Sequence, residues 1–465
     1  MNPLAHDLDH LPDLLASAQA EALHFLNRIG DIPPAAEVAV IRAASLPDHG
    51  AGAEAALQDF RVRFVPGITA STGPRYWGFV TGGTTPAALV GDWLASAYDI
   101  NLADRSHSSG PSIELEAIAM LRALFGLPER FGGVFVSGAT MANFTGLAMG
   151  REWASQQRGT SAAQHGMRDI LDLKVLSAEP HSSSVKALAM LGVGRDALVR
   201  VARLPGNREA MDVAALRKHL EALNDTPCIV VASGGTVNTV DFDEFNAIAA
   251  LRQEFPFWLH IDAAFGGFAA ASPRYAHLMS GVELADSVTI DAHKWLNVPY
   301  DSAMVFSPHT TLQTDVFQNS AAYLGDLGAV PDFFHLTPEN SRRFRALPAW
   351  FTLRAYGRDG YREIVERACD IAGELGRRIE ASETFRLLAP VRMNVVCFTF
   401  ASEPPTQAQI MDFLQQLRDG GRLFLTPTRY GGVWGIRAAL VNWRTQREDL
   451  EIAWEALNGV LATQS

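Results

Sequence analysis

The sequence is poor in the residues that mark several common classes of protein. It has only three cysteines in 465 residues, Cys228, Cys369 and Cys397. Their odd number and wide spacing match neither a disulfide framework nor a CxxC metal motif. Basic residues are outnumbered, with 39 Lys and Arg against 51 Asp and Glu. The resulting net charge of −12 argues against a nucleic acid or an anionic membrane as partner, so small molecules are the expected ligands.

Several sequence signals are also missing. No run reaches the roughly 18 apolar residues that a membrane helix needs. The first 20 residues carry acids and no basic start before an apolar core, so we expect no secretory signal. The 13 histidines show no metal-ligand spacing, and no GxGxxG or Walker motif occurs, which weakens a nucleotide-binding interpretation. Free thiols in a reducing cytoplasm are the simplest expectation for the cysteines.

What is present indicates an enzyme of the α/β class. From about 130 to 307, short and nearly continuous apolar strands alternate with amphipathic helices, which predicts a mostly parallel sheet covered on both faces. We expect an N-terminal helical segment over 1–80 that packs on a second subunit. A large ligand-binding domain over 81–345 and a small α+β domain over 346–465 follow.

One lysine is the best clue to chemistry. Lys294, in the string DAHKW, follows the strand-like run SVTI, and Asp262 ends the apolar strand of HIDAAFGG. Most lysines are solvated surface charges, and that is the alternative for Lys294 alone. A buried carboxylate, however, needs a partner. An imine-forming lysine and a buried acid are the two protein groups that pyridoxal phosphate requires.

Three other strand ends carry candidate site residues. The stretch 137–140 comprises Ser137, Gly138, Ala139 and Thr140 and opens a helix, so its backbone NH groups are suited to a phosphate. An ordinary capped helix explains this stretch equally well. His181 follows a strand and is either a helix cap or a ring that lies on an aromatic cofactor. Thr236, in SGGTVNT, is either a turn former or a donor to the cofactor ring oxygen.

Together these residues resemble a known family, the group II pyridoxal-phosphate-dependent amino acid decarboxylases. That family includes the aromatic amino acid, histidine and glutamate decarboxylases. The likeness extends from about 70 to 445. It is carried by PRYWGFVTGG (74–83), SGATMAN, HSS (181–183), SGGTVNTVDFDE (233–244), HIDAAFGG, DAHKW, SRRFRALPAW (341–350) and IRAALVNWRT (436–445).

The resemblance implies the fold of type I pyridoxal-phosphate enzymes and a homodimer with its site at the subunit interface. Lys294 would form the Schiff base, Asp262 would bind the pyridine nitrogen, His181 would stack on the ring, and 137–140 would hold the phosphate. The remaining implied cofactor contacts are Thr236, Ala264, Asp291 and His293. The implied substrate pocket comprises Phe79, Val80, Asn101, Leu102 and Phe333, with Arg105 or His107 as further candidates.

The chain departs from the family pattern at three places. Ser71, Phe79, Val80 and Leu102 make the pocket less aromatic than that of the aromatic branch, and Pro348 replaces a lysine common in relatives. Phe333 occupies the position of a mobile-loop tyrosine that returns a proton to the substrate. The loop is also about four residues shorter. A phenyl ring cannot donate, so either the product is diverted to aldehyde or Tyr323, His335, His181 or water donates instead. In the first case, Phe333→Tyr shifts the products toward amine.

The sequence therefore predicts decarboxylation of an L-amino acid to an amine and carbon dioxide. Aromatic amino acids are the first expectation, on the resemblance to the family alone. Acidic amino acids are the second, because Asn101 and Arg105 are polar groups that could pair with a distal carboxylate. An oxidative, aldehyde-forming variant or another lyase of the same fold is the first alternative. A catalytically inactive binding protein is the remote one, and the presence of both Lys294 and Asp262 argues against it.

Overall fold

The structure is a computed structural model that describes residues 3–37, 40–103, 105, 108–319 and 331–462. Two sheets organise this part of the chain, a seven-stranded central sheet and a four-stranded sheet near the C-terminus. Of the described helices, none is long and apolar enough to cross a membrane.

From β1 to β7, the strands lie at the apolar runs that the sequence predicts. The helices are α1 (Pro3–Asp9), α2 (Leu11–Asn27), α3 (Ala53–Arg63), α4 (Pro86–Tyr98), α5 (Gly110–Leu124), α6 (Ala139–Gln156), α7 (Ala162–His165), α8 (Ser182–Met190), α9 (Val213–Ala222), α10 (Phe245–Ala250), α11 (Thr310–Phe317), α12 (Ala346–Glu380), α13 (Gln407–Asp419) and α14 (Arg447–Ala462). The strands are β1 (Gly132–Val136), β2 (Val175–Ser177), β3 (Leu198–Arg200), β4 (Cys228–Ser233), β5 (Phe257–Asp262), β6 (Ser287–Asp291), β7 (Ala303–Ser307), β8 (Phe385–Leu387), β9 (Val395–Phe400), β10 (Thr426–Tyr430) and β11 (Val433–Ala439).

The central sheet confirms the prediction of a mostly parallel, doubly covered sheet. Its strand order is β1-β7-β6-β5-β4-β2-β3, and only β7 runs antiparallel to its neighbours. Successive residues of a strand point to opposite faces, so Val230 packs in one core while Ile229 and Val231 pack in the other. The strands β1, β2, β4, β5 and β6 consequently end at one edge of the sheet, where ligands of such folds bind.

The C-terminal region forms its own antiparallel sheet, in the order β10-β11-β9-β8. Helix α12 leads into it and is interrupted at Gly357, whose φ of 57° is costly for residues with a side chain. An isolated bridge between Tyr76 and Phe424 ties the segment before α4 to this region. Residues from both sheets can therefore reach the same cleft. The predicted domain boundaries at 80 and 345 remain a prediction.

The first three helices are packed loosely. In the described chain, α1, α2 and α3 bury none of their residues. Leu4, Leu8 and Leu15 are exposed by 77%, 71% and 61%.

Candidate active site

A cavity of about 360 Å³ lies at the edge where the parallel strands end. Its walls come from five strand-end loops of the central sheet, from the segment before α4, from the loop before β7 and from β11. The lining residues are Phe79, Val80, Gly138, Ala139, Thr140, Glu179, His181, Ser183, Ser233, Gly235, Thr236, Val237, Asp262, Ala264, Phe265, Asp291, His293, Lys294, Tyr300 and Arg437. Most of the residues that the sequence singled out therefore meet in one place.

Lys294 lies in a π-helical turn, Ala292–Leu296, directly after β6. Its Nζ is 3.4 Å from Oδ2 of Asp291, and its side chain is 15% exposed. The backbone NH of Gly82 donates to the carbonyl of His293 over 3.0 Å. A Cβ at Gly82 would lie 1.8 Å from the carbonyl oxygen of Lys294, so only glycine allows this approach. The turn thus presents the amine to the cavity from a fixed backbone.

Asp262 is held by neutral groups. Its Oδ2 accepts from Nδ2 of Asn143 (2.8 Å) and from Oγ of Ser184 (3.4 Å), and its Oδ1 accepts from the NH of Ala264 (3.2 Å). Behind it, Oδ1 of Asn143 is 3.0 Å from Nε2 of His260. Full burial lowers the pKa of His260 to about 4, so this imidazole is neutral and fixes the orientation of the Asn143 amide.

His181 both caps a helix and lines the cavity, so the two roles predicted for it, helix cap and cofactor contact, are compatible. Its Nδ1 is 2.6 Å from Oγ of Ser183 and accepts from the NH of Ser183 over 3.2 Å, which caps α8. Burial by surrounding protein lowers the pKa of His181. The charge of Asp262 opposes this shift, and those of Lys294 and Arg437 add to it. The imidazole is therefore a neutral ring at neutral pH.

The stretch 137–140 forms the start of α6. Gly138 is the N-cap and places no side chain over the helix end. Gly138, Ala139 and Thr140 line the cavity, whereas Ser137 does not. The positive end of an 18-residue helix therefore faces the cavity, which suits an anion such as a phosphate.

Thr236 lines the cavity, but its hydroxyl is engaged elsewhere. It donates to Oε2 of the buried Glu209 over 2.5 Å and accepts from the NH of Asp241 over 3.0 Å. The expected hydrogen bond from Thr236 to a cofactor oxygen would require this proton to turn away from Glu209.

Phe79 and Val80 line the cavity as expected, but Asn101 and Leu102 do not. Oδ1 of Asn101 accepts from the NH of Arg342 over 2.8 Å. The NH of the buried Leu102 donates to the carbonyl of Arg342 (3.0 Å), and the carbonyl of Leu102 accepts from Nη1 of the same arginine (2.8 Å). Arg342 in turn forms a fully buried ion pair with Glu114 (2.8 Å). That pair holds the segment around 101 against the protein interior.

Phe333 is also absent from the cavity, and its side chain is completely buried. The guanidinium carbons of Arg105 and Arg342 each lie 4.8 Å from its ring centroid. The phenyl ring is therefore held in the core by contacts with two cations. His335, an expected alternative donor, is 5% exposed and accepts from the NH of Asn319 over 3.0 Å, away from the cavity.

Two further candidates, His107 and Tyr323, lie outside the described residues. Tyr300, Glu179 and Arg437 line the cavity and were missed by sequence reasoning. Tyr300 is six residues after Lys294 and Glu179 is two before His181, so proximity in the chain could have revealed both.

No such proximity in the chain pointed to Arg437, because β11 is distant in sequence from the other residues that line the cavity. Its Nη2 donates to the carbonyl of Gly78 (2.8 Å), its Nε is buried without a partner in the described chain, and burial lowers its pKa. A buried guanidinium with an unused donor is suited to an anionic ligand.

Comparison with known proteins identifies the family. Residues 36–401 match the family model of the pyridoxal-dependent decarboxylase conserved domain. This chain belongs to the pyridoxal-dependent decarboxylase family. It is 28% identical over 441 residues to the aromatic-L-amino-acid decarboxylase of Sus scrofa, covering 90% of this chain and 88% of that protein. It is 26% identical to a 3,4-dihydroxyphenylacetaldehyde synthase of Aedes aegypti, covering 88% and 80%.

The fold of this decarboxylase agrees with that assignment. A crystal structure of Oryza sativa TDC with PLP and tryptamine superimposes with a TM-score of 0.91 at 24% identity, covering 98% of each chain. The predicted family, type I fold, carboxy-lyase class and cofactor are thus confirmed.

The residues present in the decarboxylase also fit pyridoxal phosphate. The amine of Lys294, the N-terminus of α6 and a carboxylate held by three neutral donors line the same cavity. These are the groups that the aldehyde, the phosphate and the pyridine nitrogen require.

Proposed function

We propose that the protein removes the α-carboxylate of an L-amino acid as carbon dioxide, with aromatic amino acids preferred. The observation that carries the proposal is the single cavity in which Lys294 and Asp262 share walls with Phe79, Phe265 and Tyr300. The first two supply the groups that decarboxylation with pyridoxal phosphate needs. The three aromatic rings favour a flat, apolar substrate side chain.

Each residue has a distinct task in this proposal. Pyridoxal phosphate, when bound, supplies the electron sink. Lys294 would hold it covalently until the substrate amine replaces the lysine, and the start of α6 would hold its phosphate. Asp262, fixed by Asn143, would keep the pyridine nitrogen protonated. His181 is neutral and would offer its flat ring to the cofactor.

An acidic amino acid is the second candidate, and Arg437 is the observation that favours it. Its buried, unpaired Nε would gain from a carboxylate, because an anion compensates the desolvation of a buried cation. Asn101 and Arg105 no longer support this candidate, since both are engaged outside the cavity.

We also propose a homodimer with its site near the subunit interface. The exposed leucines of α1 and α2 support it, because a second copy of the chain would cover them. Free, buried Cys228, Cys369 and Cys397 support the proposed reducing, cytoplasmic location. Light scattering of the purified enzyme tests the dimer directly, and a monomeric mass would contradict it.

One panel of amino acids tests the catalytic proposal. Purified enzyme is incubated with L-tryptophan, L-tyrosine, L-phenylalanine, L-glutamate and L-aspartate, and carbon dioxide, amine, aldehyde, ammonia and peroxide are all measured. We expect carbon dioxide from an aromatic amino acid, with the amine as main product. Preference for glutamate or aspartate would favour the second candidate. No carbon dioxide from any of the five would contradict the proposed function.

A further inference from the structure

Decarboxylation consumes a proton as well as releasing carbon dioxide. The electron pair of the broken bond stays on Cα, which must then bind a proton. Overall, the zwitterionic amino acid and one proton give the ammonium form of the amine and carbon dioxide. A general acid beside Cα is therefore a required part of the site.

The nitrogen groups of the cavity do not meet this need. His181 is a neutral imidazole, because burial lowers its pKa. Arg437 retains its proton in any protein environment, and Nζ of Lys294 is paired with the carboxylate of Asp291 at 3.4 Å.

The carboxyl groups of the cavity are engaged as well. Asp262 accepts three hydrogen bonds, and Asp291 contacts both Lys294 (3.4 Å) and His293 (2.8 Å). Burial and the charge of Glu209 raise the pKa of Glu179, but its carboxylate is paired with Arg203 at 3.5 Å and Arg200 at 3.8 Å, whose charges oppose that shift.

Tyr300 combines a proton that is bound at neutral pH with access to solvent. Its Oη is 2.9 Å from Oγ1 of Thr81, and its ring lies 4.4 Å from that of His293, next to the lysine. Burial raises the pKa of its phenol, so the proton is in place at neutral pH. The residue is nevertheless 57% exposed, so water can restore the proton after each transfer.

We propose that Tyr300 donates the proton to Cα after carbon dioxide leaves. This inference rests on the decarboxylation proposed above. The O–H bond of the phenol breaks, the new C–H bond forms at Cα, and the tyrosinate regains a proton from solvent. Hydrogen bonding from Thr81 Oγ1 stabilises the transient anion.

Several groups face the phenol and set its acidity. Asp291 opposes ionisation of Tyr300 through its charge, after the larger effect of burial, whereas the hydrogen bond with Thr81 favours it. His293 lies against the ring, and Tyr76 is a neighbouring phenol whose own pKa is raised by burial and, to a smaller extent, by Tyr300. Tyr76 itself stacks on Phe424 at 4.8 Å and does not line the cavity. It is therefore a matched control for loss of a neighbouring phenol.

The test compares Tyr300→Phe, Tyr76→Phe and Tyr323→Phe in the holoenzyme with the five amino acids named above. We expect Tyr300→Phe to release carbon dioxide in the first turnover but to form at least about tenfold less amine per carbon dioxide. In air, dissolved oxygen takes two electrons from the waiting carbanion to give peroxide, and water releases aldehyde and ammonia. Without oxygen, turnover should stall.

A second measurement does not depend on turnover. In substrate-free enzyme, ultraviolet titration of tyrosinate near 295 nm should show one phenol of raised pKa fewer in Tyr300→Phe than in the wild type. Binding of L-tryptophan methyl ester should change less than twofold, which separates proton transfer from a damaged pocket.

Three outcomes would overturn the inference. The first is an unchanged ratio of amine to carbon dioxide in Tyr300→Phe, and the second is an equal loss in Tyr76→Phe. The third is loss in Tyr323→Phe alone, which would make that residue the acid. If the wild-type enzyme releases no carbon dioxide, the proposed function fails first and the inference falls with it.

Discussion

The cavity has a floor and a mouth that are built differently. The floor consists of Asp262 with Asn143 and His260 behind it, and the mouth consists of Phe79, Val237 and Tyr300. Floor residues belong to regular elements or strand ends and form a continuous hydrogen-bonded chain. Mouth residues come from loops, and Phe79 and Tyr300 are more than half exposed.

This difference indicates that the floor and the mouth have different functions. The floor needs one fixed geometry, because any amino acid substrate would use the same electron sink, and buried hydrogen bonds provide that rigidity. The mouth must suit a particular side chain and deliver a proton, which loops can vary without disturbing the sheet. Changes at the floor should therefore affect every substrate alike, whereas changes at the mouth should alter selectivity or products.

Removal of the reactive amine should have the largest effect. Lys294→Ala should abolish turnover of all substrates while the fold is retained, because the cofactor loses its covalent attachment. Borohydride reduction and peptide mapping should no longer label this position. Lys218→Ala, an exposed lysine on α9, is the control and should behave as wild type. Substantial activity in Lys294→Ala would refute the assignment.

Neutralising the floor carboxylate should come next. Asp262→Asn keeps size but no longer favours a protonated pyridine, so we expect a loss of kcat of at least about a hundredfold for every substrate. Asp212→Asn, which preserves a half-buried N-cap on α9 that does not line the cavity, serves as control. A near-normal kcat in Asp262→Asn would mean that the carboxylate has only a structural role.

Removal of the Asn143 amide, which lies behind the carboxylate, should lower kcat less. Asn143→Ala leaves His260 Nε2 without this partner and Asp262 Oδ2 with only the longer hydrogen bond from Ser184, which should cost ~1–3 kcal/mol of stability and lower kcat about tenfold. Denaturant unfolding and kinetics at saturating substrate measure the two effects. Asn246→Ala, an exposed amide that donates to Ser280, should change neither. Equal behaviour of both variants would mean that the floor is less rigid than we infer.

A change at the mouth should alter selectivity instead. Phe79→Ala removes an aromatic wall, so we expect kcat/KM for aromatic substrates to fall about tenfold relative to aspartate, with little change in cofactor binding. Competition assays with paired substrates measure this ratio. A uniform loss for all substrates would remove the distinction between floor and mouth.

The smallest effect on products should come from Phe333→Tyr. The sequence predicted a shift toward amine, but the ring is buried between Arg105 and Arg342 and cannot reach the cavity in this conformation. We now expect the ratio of amine to aldehyde to stay within about twofold of wild type. Product analysis under air decides between the two expectations, and a clear shift toward amine would restore the sequence-based one.

Much of the fold could be predicted because its signals are local. Apolar runs of strand length recur at β1 to β7, and the strand ends carry Lys294, Asp262 and His181. Parallel strands bring such ends to one edge, so their convergence follows from topology alone. The position of Phe333 could not be predicted in this way, because it depends on a buried ion pair between Arg342 and Glu114, which are 228 residues apart.

By itself, the sequence determined the alternation of strands and helices and the lysine, acid and helix start that pyridoxal phosphate requires, since each is encoded within a few neighbouring residues. Only the tertiary structure decided which groups share the cavity with them. Arg437 enters from a second sheet, Tyr300 faces the lysine turn, and Phe333 is withdrawn into the core. The reason is physical: these placements depend on burial and pairing between segments far apart in the chain, which no local pattern records.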